Sequence, residues 1–140
     1  MMHGNNRAAA WFGRVVWLGI LANLALAIPT LVAPERMLVI AGLPPASPLL
    51  WPRFAAWLLI LLSALYVPGA VDPFRYRRPA QLSVLSRLAG VLFFATQATE
   101  YWQLGALDLV FFIPEAILLA LALHNIRPED VRSPMRTAAL

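Results

Sequence analysis

Four long apolar runs, at about residues 11–32, 49–71, 82–104 and 107–124, fill most of this 140-residue chain and leave only short Arg- or Pro-bearing connections between them. A helix needs roughly 20 apolar residues to cross about 30 Å of hydrocarbon; three of the runs exceed that length and the fourth is close to it. Lipid offers no partners to backbone N–H and C=O groups, so runs of this kind must be helical. The expectation is an all-α, polytopic membrane protein: one transmembrane domain over residues 1–140, built as a four-helix bundle. Composition points the same way, with 61% hydrophobic and 13% charged residues and a mean hydropathy of +0.71, outside the range of soluble domains. A soluble bundle would give each helix a polar outer face, whereas residues 54–62 and 105–123 are apolar almost all round. The absence of Cys excludes disulfides, thiolate metal sites and dithiol redox chemistry.

The net charge of +4 comes from Arg alone, and its distribution argues for topology rather than nucleic-acid binding. Arg7, Arg14, Arg75, Arg77, Arg78, Arg87, Arg127, Arg132 and Arg136 fall at the N-terminus, around the second connection or after the fourth run; Arg36 and Arg53 fall on the other side. The positive-inside rule then places both termini and the second connection in the cytoplasm, as an even number of spans requires. The stretch from Arg7 through the apolar 15–28 to the small residues 25–27 also has the form of a cleavable signal peptide. Continuation of the apolar run to Val32 favours a retained span.

The connection 33–52 carries Pro34, Pro44, Pro45, Pro48 and Pro52, with residues 35–41 able to form a short interfacial helix closed by Gly42. Pro29 should kink or end the first span. The second span should stop at Pro68–Gly69 or at Asp72–Pro73, and Gly105 reads as a tight hairpin between the third and fourth spans. Trp11, Trp17, Trp51, Tyr101 and Trp102 lie near predicted span ends, where an aromatic belt belongs.

Ionisable groups inside spans are costly and face the bundle interior, paired or functional. Glu115 follows Pro114 near the middle of the fourth run, and Asp108 lies two turns earlier on the same face. Arg53, entering from the outer side, is the expected cation for Glu115, with Glu100 as the competing carboxylate. A polar stripe of Ser83, Arg87, Gly90, Gln97 and Glu100 or Tyr101 runs along the third span. Gly19, Asn23, Ala27 and Thr30 form a face on the first, and the two stripes should meet as a seam in which Asn23, Arg87 and Gln97 supply hydrogen bonds. His3 and His124 cannot form a bis-His haem site, and no motif shows metal-ligand spacing. No P-loop, dinucleotide fingerprint or nucleophile–base pair is present; no catalytic residue is assigned.

In size, arrangement and segments such as GLPPASPLLWPRF (42–54), VDPFRYRR (71–78) and SRLAGVLFF (86–94), the chain resembles the small four-span bacterial proteins of the DoxX-like type. The resemblance implies the bacterial inner membrane, and a membrane partner for a quinone-linked redox complex. The expected function is therefore a non-catalytic integral subunit or assembly partner, in contact with lipid and with other membrane subunits or a second copy of itself. No bound cofactor is expected, though the resemblance allows contact with quinone or lipid. The alternatives are a small proton-linked transporter or channel, and a membrane enzyme acting on a lipid or isoprenoid through Glu100, Asp108 or Glu115.

Overall fold

The computed structural model describes residues 3–124, and side chains from Arg7 onward. Its regular structure is wholly helical: α1 (His3–Val32), α2 (Pro34–Ile40), α3 (Leu50–Val71), α4 (Arg77–Ala95) and α5 (Trp102–His124), with a 3-10 turn at Thr99–Tyr101. The four long helices close a ring in the order α1, α3, α4, α5, each packed on the next and α5 returning to α1. Because the chain reverses at every connection, neighbours run antiparallel.

Three stretches, Arg7–Val32, Leu50–Val71 and Thr99–His124, are long and apolar enough to cross a membrane. Their outward faces carry residues such as Leu18, Leu21, Leu61, Leu65, Ile117 and Leu121, each 47–59% exposed. Water would penalise such a surface and hydrocarbon would not, so these helices belong against lipid. α4 has the inverse of a soluble helix: Leu85 and Leu92 are each 60% exposed, whereas Ser83 and Arg87 are 0% and 2% exposed.

The helices meet over small residues. Along α1 the buried positions Phe12, Val16, Ile20, Asn23 and Ala27 repeat at intervals of three and four, one face of a helix. Phe12, Val16 and Ile20 pack with Tyr66 and Ala70 of α3, Ala80 of α4 and Leu119 of α5. Gly69 lets the α3 backbone come against that of α4, since a Cβ there would lie 2.5 Å from the Ala80 nitrogen. Gly13 does the same for α1 against the Ala70 carbonyl.

α2 opens with Pro34, where a first-turn residue needs no N–H partner. It closes at Gly42, whose φ of +63° suits glycine. There Gly42 N–H donates to the Val39 carbonyl at 3.0 Å and Leu43 N–H to the Leu38 carbonyl at 2.8 Å, the paired bonds of a Schellman cap. The expected short helix and its glycine stop are both present. α3 passes through Pro68 and ends at Asp72, whose carboxylate accepts the N–H groups of Phe74 and Arg75, each at 3.0 Å, and so fixes the turn into α4. α1 likewise continues through Pro29 to Val32.

The boundary between the last two long helices differs from expectation. The sequence predicts a third span over 82–104 with a hairpin at Gly105, but α4 ends at Ala95 and α5 already begins at Trp102. Side chains compete for the last carbonyls of α4: the Thr96 hydroxyl donates to the Phe93 carbonyl at 2.7 Å, and the Gln97 amide donates to the same oxygen at 3.3 Å. Such local bonds offer the backbone an alternative to helix, and Ala98 then turns extended. Gly105 lies inside α5, where a Cβ would come 3.0 Å from the Phe94 Cβ. It serves a close α4–α5 contact instead of a turn.

Candidate functional site

α4 and α5 bring three charges together in the centre of the ring. α4 is about 28 Å long at ~1.5 Å per residue, and Arg87, ten residues in, sits near its midpoint. α5 descends from the opposite end and presents Asp108, Phe111 and Glu115, at intervals of three and four, on the face that meets Arg87. Arg87 Nε donates to Glu115 Oε1 at 3.0 Å, and Nη1 donates to Asp108 Oδ1 at 3.1 Å. The guanidinium carbon lies 4.7 Å from the centre of the Phe111 ring, within cation–π range.

Two glycines make room. A Cβ on Gly19 of α1 would overlap Arg87 Nη2, and one on Gly90 of α4 would overlap Asp108 Oδ2. The Arg87 and Glu115 side chains are 2% and 0% exposed, and Asp108 is 23% exposed. Among the described residues, Arg87 Nη2 and Glu115 Oε2 have no hydrogen-bond partner. Two carboxylates share one guanidinium, so the fully ionised triad carries one formal negative charge.

Two neutral pairs flank the triad. Ser63 donates to the Leu59 carbonyl at 2.8 Å and therefore accepts from the Asn23 amide, at 3.1 Å. Ser86 donates to the backbone of α4, so Tyr66 donates to the Ser86 oxygen. These bonds join α1 to α3 and α3 to α4.

Beside the triad, near the end of the ring that α2 covers, lies a cavity of about 300 Å³. α2 contributes Met37 and Leu38, α1 contributes Leu26, Ala27 and Thr30, α3 contributes Ala55, Ala56 and Leu59, and Phe94, Leu104 and Leu107 complete an apolar wall. Asn23, Thr30 and Asp108 are the lining residues with polar side chains. Asp108 is thus the triad member that reaches the cavity.

The expected seam is met in part. Asn23, Ser83, Arg87 and Gly90 face inward with Gly19 and Ala27. Gln97 does not: it is exposed in the bend after α4, bonded to Phe93 and Thr96. Glu100 is exposed in the 3-10 turn, and Arg53 is exposed at the start of α3. The expected Arg53–Glu115 pair is therefore replaced by Arg87–Glu115. The sequence places Arg87 both among the cations around the second connection and in the polar stripe of the third run, five residues inside 82–104, and the structure puts it in the stripe. With Arg87 inside the bundle, the number of Arg expected on the cytoplasmic side falls from nine to eight of eleven. His124 closes α5 and is exposed.

The arrangement can hold a charge or a proton in an apolar interior and expose one carboxylate to a small chamber. No protein family, curated protein or solved structure matches this chain.

Proposed function

We propose that this chain is a four-span protein of the bacterial inner membrane with both termini in the cytoplasm. It acts as a non-catalytic integral subunit or assembly partner of a larger membrane complex, and holds a small amphiphile in the cavity under α2. The observation that carries this reading is the cavity itself, an apolar chamber with a few convergent polar groups of the kind small-molecule sites use. The fourth span is supported by α4, which turns Leu85 and Leu92 outward and Ser83 and Arg87 inward. Orientation is supported by the eight Arg that remain on one side, and the bacterial inner membrane by the DoxX-like resemblance. Attachment to a complex is supported by the wide apolar rim of the long helices.

The test is a photo-crosslinker placed at exposed Leu61 or Leu121 and activated in intact membranes. One discrete partner, recovered in stoichiometric yield and lost from the membrane when this chain is deleted, is the expected result. A chain that remains a monomer with lipid adducts alone overturns the subunit role.

A second reading, a small proton-linked transporter, draws support from the two carboxylates that share Arg87. Glu115→Gln should then abolish proton-linked flux in proteoliposomes, and flux that survives the change rejects it. An enzyme using Glu100, Asp108 and Glu115 together draws no support, because Glu100 is exposed in the 3-10 turn.

A further inference from the structure

We propose that the cavity under α2 takes a lipophilic amine in its protonated form, with the Asp108 carboxylate as counter-ion. The proposal rests on the cavity reading above and specifies the headgroup that the site selects.

Charge complementarity carries the argument. The triad has two carboxylates and one guanidinium, so one negative charge is uncompensated when all three are ionised. Arg87 and Glu115 are sealed in the bundle at 2% and 0% exposed, whereas Asp108 is 23% exposed and lines the cavity. A ligand therefore contacts Asp108 directly, with the guanidinium behind it, and it is the second carboxylate, Glu115, that leaves the triad net negative. No Arg lines the chamber among the described residues, so a cation entering it meets no repulsive neighbour on the wall.

Hydrogen-bond inventory points the same way. The Thr30 hydroxyl donates to the Leu26 carbonyl at 2.6 Å, leaving only its lone pairs. The Asn23 amide spends one N–H on Ser63, which leaves its carbonyl oxygen and a single N–H. These polar side chains are thus acceptor-rich, and a donor headgroup satisfies them. A quinone brings carbonyl acceptors, for which one Asn23 N–H is the available side-chain donor. A zwitterionic phospholipid brings a phosphate beside its ammonium, with no cation on the wall to receive it. A single-chain amine fits both the charge and the apolar walls of Leu59, Phe94 and Leu107. An ammonium–carboxylate contact is stronger than its neutral counterpart.

The probes are n-decylamine, n-decanol and a decyl-substituted benzoquinone, titrated against the full-length chain in neutral detergent at pH 7, with affinity read by native mass spectrometry. Decylamine should bind about tenfold or more tightly than decanol, and Asp108→Asn should remove that advantage while decanol affinity stays the same. Equal affinity for amine and alcohol in the unaltered chain, or amine selectivity retained in Asp108→Asn, overturns the proposal. The comparison within the unaltered chain stands even where the variant does not fold. Tighter binding of the quinone overturns the amine but leaves the cavity reading intact. Ala56→Phe, which fills the chamber from α3, should abolish binding of amine and alcohol together. Binding of no probe, or binding indifferent to Ala56→Phe, overturns the cavity reading itself and the amine with it.

Discussion

Replacing Arg87 with Met keeps a long flexible side chain but removes the charge that two carboxylates share. Each contact, at 3.0 and 3.1 Å, has a gross attraction of about 5 kcal/mol at an effective dielectric near 20. Dehydration of the three ions offsets most of it, at several kcal/mol per ion. What the substitution leaves is more informative than what it removes. Glu115 is fully buried and Asp108 mostly so, and stranding a buried charge costs about 3–5 kcal/mol. Protonation of the carboxylates limits the loss, so the expected destabilisation of Arg87→Met is ~3–5 kcal/mol. The triple variant Arg87→Met, Asp108→Asn, Glu115→Gln has no charge to strand, and should recover to within about 2 kcal/mol of the parent by the same argument. Reversible unfolding in mixed micelles, followed by helix content, measures both. A single variant within about 1 kcal/mol of the parent, or a triple variant less stable than the single, would refute the assignment of Arg87 as the central cation, because independent losses add.

Gly90→Ala drives a Cβ into the Asp108 carboxylate, and should cost roughly 1–3 kcal/mol as an overpacked site; the loss should shrink when Asp108→Ala is made alongside it. Arg53→Leu, at an exposed position, should change stability by no more than about 0.5 kcal/mol, and a loss as large as that of Arg87→Met would restore the Arg53–Glu115 pair. Gly42→Ala places an ordinary residue at a φ of +63° and should cost about 1 kcal/mol, seen as faster hydrogen exchange across α2 and its cap.

The helical class was legible because length and hydropathy of residues 11–32 and 49–71 leave few other solutions. The inward face of α1 was legible as well, since small residues at 19, 23 and 27 repeat at helical spacing. Gly42 could be read as a stop because it directly follows the short stretch 35–41, and glycine is the usual residue just past a helix end. The α4–α5 boundary was not legible. Thr96 and Gln97 look tolerable inside an apolar run, and only their hydrogen bonds to Phe93 show that they end it. Misplacing that boundary hid the depth match between Arg87 and Glu115. Asp108 and Glu115 stand out in the sequence because a carboxylate in an apolar stretch demands a partner, and both are paired with Arg87. Which cation answered depended on helix ends that apolar runs do not mark. Gly90 gave no sign of its role, since what it accommodates is the carboxylate of another helix.

The inverted polarity of α4 bears on how the chain is made. A membrane-insertion machine reads segments as they emerge, and an Arg at the centre of a helix disfavours insertion by about 2.5–3.5 kcal/mol. The two carboxylates that neutralise Arg87 lie 21 and 28 residues further along the chain. At a synthesis rate of roughly 5–20 residues per second, they arrive about 1–6 s later. Until then α4 is better placed at the interface than in the hydrocarbon. On the four-span reading, α4 and α5 therefore enter the bilayer together as a charge-neutralising hairpin, with the strongly apolar α5 carrying its polar partner across. Asp108 and Glu115 would then be needed first as passengers' papers for Arg87, before the cavity they adjoin exists.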